Sequence, residues 1–103
     1  MILPSEYAGG SASAPVKFPL GQLVATPAAL GSLTHDDIHD AITRHLHGDW
    51  GELDEEDRAE NELSLKKGLR LFSVYRGANG VKFYIITEHD RSITNVVLLP
   101  SDY

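Results

Sequence analysis

The hydrophobic period of this chain changes once, at Gly68. Before that glycine, apolar residues recur at spacings of three and four; after it they fall in short runs of period two. A chain that switches in this way predicts helices first and a sheet second, an α+β domain rather than an alternating α/β one. The later half reads as three strands, LRLFSVYR, VKFYIIT and ITNVVLL, rich in Val, Ile, Phe and Tyr. GANG (Gly77 to Gly80) joins the first two as a hairpin turn, and EHDRS (Glu88 to Ser92) joins the second pair. The expectation is a three-stranded antiparallel meander.

Two main helices precede it. In THDDIHDAITRHLHG, Thr34 is the N-cap and Asp37 sits three residues on. Ile38, Ala41, Ile42 and Leu46 form one apolar stripe with His45 beside it, and Gly48 ends the helix. In DEEDRAENELSLKKG, Asp54 caps, acids fill the first turn and Lys66 and Lys67 the last, so both ends complement the helix dipole. Its apolar stripe is thin (Leu53, Ala59, Leu63, Leu65), which places it on the surface. TPAAL, with Thr26 and Pro27, is a single helical turn stopped by Gly31. VKFPLGQLVAT carries Pro19 and Gly21 and reads as an edge strand or irregular segment. The predicted core comprises Phe18, Leu23, Ile38, Ile42, Leu46, Leu63, Leu71, Phe83, Ile85 and Val97.

A chain of 103 residues supports one core. AGGSASAP (Ala8 to Pro15) is a flexible linker, so residues 1–15 are an arm plus linker and 16–103 the domain. The arm ILPSEY, Ile2 to Tyr7, nearly repeats LLPSDY, Leu98 to Tyr103. Pro100, lacking an N–H, is expected to stop the last strand's ladder, and Tyr103 can fold back to bury its ring; the arm has the side chains to pack as an extended segment beside a strand, in cis or across a homodimer.

Cysteine is absent, which excludes disulfides and thiolate chemistry and fits a cytoplasmic address. No apolar run is long enough for a membrane span, and no basic-then-apolar N-terminus marks a signal peptide. The net charge of −6 is concentrated. Asp49 to Glu62 holds eight acids and one base, while the rest of the chain is nearly neutral. With no basic stripe, direct nucleic-acid binding is disfavoured.

FPLGQLVATPAAL, RHLHGDWGELDEEDRAENELSLKKGLRLFSVY and IITEHDRSITNVVLLPSDY together resemble a family of small bacterial proteins described as plasmid-related, some labelled as type I restriction subunit-like. The resemblance spans about residues 18–103, leaving residues 1–15 outside it. It implies a mobile-element setting and carries over no activity. The restriction label fits the chain's size poorly, since it has no glycine-rich methyl-donor loop and no room for a methyltransferase sheet.

Several constellations bear on function. His35 and His39 share a helix face at the spacing of a metal-binding pair, and with His45 and Asp49 they define a metal-protein or enzyme alternative. The competing reading is a polar, His-rich helix face; no third ligand stands at diagnostic spacing, and no cofactor is expected. Trp50, between Gly48 and Gly51 in HGDWG, is either a partner anchor or the plug of the interhelical corner. Glu88, His89, Asp90 and Arg91 are acid–base groups on paper and turn chemistry otherwise. Arg70, Phe72, Val74 and Arg76 alternate along one strand, with Lys82 and Tyr84 on the next, as a cationic aromatic face or as the partners of nearby acids. The leading expectation is a small acidic, non-enzymatic binding protein. Glu55, Glu56 and Glu60, with Trp50, would meet a basic protein partner, by the resemblance a host defence or DNA-processing protein. A self-associating structural module is the other alternative.

Overall fold

Thr34 opens the long amphipathic helix with a closed capping box. Its hydroxyl accepts from the Asp37 amide at 3.0 Å, and the Asp37 carboxylate accepts from the Thr34 amide at the same distance. The computed structural model describes Ile2 and residues 16–98. It contains β1 (Gln22–Ala25), α1 (Pro27–Ser32), α2 (His35–Leu46), α3 (Glu55–Lys67), β2 (Leu71–Arg76), β3 (Lys82–Thr87) and β4 (Ile93–Leu98).

The α+β class is as expected. The finer layout differs in the sheet: among the described residues there are three helices, the first at the expected TPAAL turn, and four strands in one mixed sheet in the order β1-β4-β3-β2. β2, β3 and β4 pair antiparallel, but β1 joins β4 in parallel, with Gln22 opposite Ile93 and Ala25 opposite Val96. The reason is local. Thr26 caps α1 and Pro27 starts it, so the chain leaves β1 straight into a helix and cannot turn back as a hairpin. β4 then arrives from the far side of the sheet, and the Gln22 and Thr26 amides bond the Ser92 and Val96 carbonyls.

α2 lies over the sheet face formed by alternate residues of the strands. Ile38, Ala41, Ile42 and Leu46 are buried there against Leu71, Tyr75, Phe83, Ile85 and Val96. Each of the two isoleucines contributes on the order of 1.5–3 kcal/mol of burial. Phe18, Leu23 and Leu53 complete the cluster. Val97 is buried too, but strand alternation turns it to the opposite sheet face.

Leu63 is a correction to the expected core, being 49% exposed. α3 does not lie on a sheet face at all. It runs beside β2, the outermost strand, and its one buried residue is Asn61. Next to it the chain from Trp50 to Glu52 adds a bridge to the same strand: the Val74 amide bonds the Trp50 carbonyl, and the Glu52 amide bonds the Val74 carbonyl at 2.8 Å. That contact passes through Gly51, whose φ is 76°. A Cβ there would stand 1.9 Å from the Val74 carbonyl oxygen, so only glycine fits.

On the other side of the sheet, Ile2 forms an isolated antiparallel bridge with Val24 of β1. The remaining expectations for the arm, the linker, Pro100 and Tyr103 lie outside the described residues. Among those residues no helix is long and apolar enough to cross a membrane.

Candidate functional site

His45 points from the apolar face of α2 into the sheet and is fully buried. Its Nδ1 lies 2.5 Å from Ser73 Oγ and its Nε2 2.9 Å from Thr87 Oγ1. Thr87 Oγ1 is 2.8 Å from Thr94 Oγ1, which donates to the Leu20 carbonyl. That carbonyl can only accept, so it orients the whole chain. Thr94 spends its proton on Leu20; Thr87 donates to Thr94; His45 donates from Nε2 to Thr87; Ser73 donates to Nδ1. The imidazole is held neutral, its pKa lowered to about 3 by burial and, secondarily, by the Arg91 charge. Both nitrogens are committed, so His45 ties β2, β3 and β4 to α2.

This placement separates His45 from His35 and His39, with which the sequence grouped it. His35 and His39 do share a face, with rings nearly parallel and centroids 6.3 Å apart. Each Nδ1 stands 3.8 Å from the neighbouring Asp36 or Asp40 carboxylate. His45 is turned into the core and joins neither. Asp49 is taken by Arg44, through bonds of 2.7 and 3.3 Å. Those bonds hold the Asp49 carboxyl below its ordinary range. Among the described residues no group of three or more His, Asp or Glu side chains is placed to hold a metal.

Trp50, for which the sequence left open a partner anchor or a corner plug, is 2% exposed. Its ring meets Phe18 and His45, and its Nε1 donates to Glu62 at 2.7 Å. It plugs the corner between α2, α3 and β2. The EHDRS loop is closed by its own hydrogen bonds. Asp90 accepts from both the Ser92 amide and its hydroxyl. Arg91, with φ at 61°, donates to the Ser64, Leu69 and Glu88 carbonyls rather than to a carboxylate. It thereby pins the C-terminal end of α3 to the β3–β4 turn. Arg70, just before β2, and Arg76 at its end reach Glu88 and Glu52, and Phe72 packs edge-on to Tyr84 at 4.4 Å.

Two surfaces remain. A cleft of about 350 Å³ opens between α2 and the β2–β3 hairpin, with Tyr75 and Phe83 in its lining. Asp40, Arg44 and Arg76 also line it, but both arginines already hold carboxylates, and Arg44 lies 4.7 Å over the Tyr75 ring. The other surface is α3. Glu55, Glu56 and Glu60 are exposed, and none of the ion pairs among the described residues involves them. Glu56, Glu60 and the exposed Leu63 follow one another on one outward stripe at helical spacing.

Ser73, Thr87, Thr94 and Asn61 escaped the sequence reading. The signal for the first three was present: hydroxyls at inward strand positions where an apolar residue belongs, opposite a histidine beside an apolar helix stripe. Asn61 had none, because nothing local marks an amide that will meet a strand edge. No protein-family model, no curated protein and no solved structure matches this chain significantly.

Proposed function

We propose that this protein is a non-enzymatic binding module that presents α3 to a basic surface of another protein. One observation carries the reading: a thirteen-residue helix, capped at both ends, buries a single side chain, Asn61. Its contribution to the core is small, a half-buried Leu65 packed against it. Its capped ends, the Asn61 bonds to β2 and the Arg91 bonds at its C-terminal end keep it rigid while its outward stripe stays available. A rigid helix binds at a lower entropic cost than a segment that must order on contact. Three exposed glutamates with no ion-pair partner among the described residues give it long-range attraction for a cationic patch. Of the acid–base candidates, His45, Asp49, Glu88, Asp90 and Arg91 are engaged in internal bonds or ion pairs. The sequence resemblance suggests a host defence or DNA-processing protein as the partner.

The test is capture from a bacterial lysate with the wild-type chain and with Glu55→Lys, Glu56→Lys, Glu60→Lys combined, at low and high salt, the retained proteins being quantified by mass spectrometry. Retention should be lost on reversal and should fall steeply with salt, chiefly through the association rate. Retention that survives the reversal, or that is insensitive to salt, overturns the reading. Circular dichroism confirms that the variant is folded.

A further inference from the structure

We propose that α3 also recognises itself: a second copy of this chain docks its α3 antiparallel on the outward face of this one, about a twofold axis. The inference goes beyond the role given to this helix with another protein and does not depend on it. It starts from Asn61, the one residue that α3 buries, whose side chain faces β2. Two residues turn an α-helix by about 200°, so Ala59 and Leu63, two positions on either side of Asn61, point away from the sheet. Both are exposed, and Leu63 is a large apolar side chain left in water.

The charges on this face are placed symmetrically about the same residue. Glu56 and Glu55 stand five and six positions before Asn61, and Lys66 and Lys67 stand five and six after it. All four are exposed, and none of the ion pairs among the described residues involves them. An antiparallel copy with its Asn61 at the same level sets its Leu63 over Ala59, where the small side chain leaves room. It also brings its lysine end beside Glu55 and Glu56. The twofold axis repeats each contact, so the acidic end of each helix meets the basic end of the other, with an apolar seam between them. A parallel copy sets acid on acid and base on base. Complementarity to the helix dipole accounts for acids at one end and bases at the other. It does not account for a leucine at the centre of the outward face. The seam is short and surface ion pairs contribute little each, so the dimer is a weak one and sensitive to salt.

Sedimentation equilibrium of the full-length chain at up to about 1 mM and low salt measures the association. The wild type should dimerise reversibly and dissociate in about 0.5 M salt. Glu55→Lys with Glu56→Lys, and separately Lys66→Glu with Lys67→Glu, should each weaken self-association about tenfold or more. An equimolar mixture of the two variants should restore it, which also shows that both are folded. A wild type monomeric at that concentration, association unchanged in both variants, or a mixture that restores nothing overturns the proposal. The direction is tested by mixing Ala59→Cys and Leu63→Cys chains, since the protein has no other cysteine. Mild oxidation should yield more of the mixed disulfide than of either symmetric one, and an excess of symmetric products would equally overturn it. The Lys66→Glu, Lys67→Glu chain keeps Glu55, Glu56 and Glu60, so its capture of a basic partner should persist without the dimer, and the two readings fail separately.

Discussion

The Asn61 carboxamide bonds both backbone groups of Phe72, donating to its carbonyl and accepting from its amide at 3.2 Å. A side chain here takes the place of a neighbouring strand and closes the outer edge of β2. Asn61→Ala should lower stability by about 1–3 kcal/mol, the range for buried polar groups left unsatisfied. Asn61→Asp should be no better, because its carboxylate faces the Phe72 carbonyl with no proton to give. Urea unfolding measures the loss. Hydrogen exchange should show α3 opening separately from β3, and uniform exchange across both elements would contradict the clamp.

His45 predicts a pH dependence. Its folded pKa is depressed to about 3, whereas in the unfolded chain it is near 6.5. Between those values the unfolded state binds a proton that the folded state refuses, so stability rises with pH through this window. The contribution is fully present above about pH 6.5 and is lost as pH falls toward 3, with a slope of up to ~1.4 kcal/mol per pH unit. Chemical melts at a series of pH values should show this slope. His45→Ala should flatten the part above the carboxylate range and lower stability at pH 7 by about 2–4 kcal/mol, because it leaves a cavity and strands Ser73 and Thr87. An unchanged slope in the variant would refute the assignment.

Gly51 and Gly68 share a positive φ, at 76° and 70°, but not an environment. Nothing stands within 4 Å of a Cβ at Gly68, whereas one at Gly51 collides with the Val74 carbonyl and the Tyr75 ring. Gly68→Ala should cost about 1 kcal/mol of backbone strain. Gly51→Ala should cost several times as much, because it must break the bridge to β2. Paired thermal melts of the two variants make the comparison, and equal losses would be inconsistent with the contact.

Trp50 is the only tryptophan, so its fluorescence reports the corner between α2 and α3 directly. Wild-type emission should be blue-shifted. Glu62→Gln keeps an acceptor for the indole N–H and should leave the spectrum nearly unchanged. Glu62→Ala removes it, and should increase acrylamide quenching and cost about 1 kcal/mol. Identical quenching in all three proteins would show that the Trp50–Glu62 bond does not hold the corner.

Much of the local structure was legible in the sequence because its causes lie within a few residues of their effects. Thr26, Thr34 and Asp54 cap the helices they precede, and Gly68 ends α3 in a left-handed conformation. The change of hydrophobic period separates helices from strands, and the charge of the 49–62 segment follows from composition alone. What the tertiary structure decided are relationships between residues far apart in the chain. The direction of β1 depends on which side of the sheet β4 presents. Leu63 is exposed because α3 is held at a strand edge by Asn61, and periodicity cannot distinguish an edge from a face. Trp50 turned inward because Phe18, His45 and Glu62 meet around it, and His45 became a buried tie because Ser73, Thr87 and Thr94 converge from three strands. Hydrophobic period and capping are set by neighbours in the chain, whereas burial and polar partnership are set by neighbours in space, and only the packed fold brings those together.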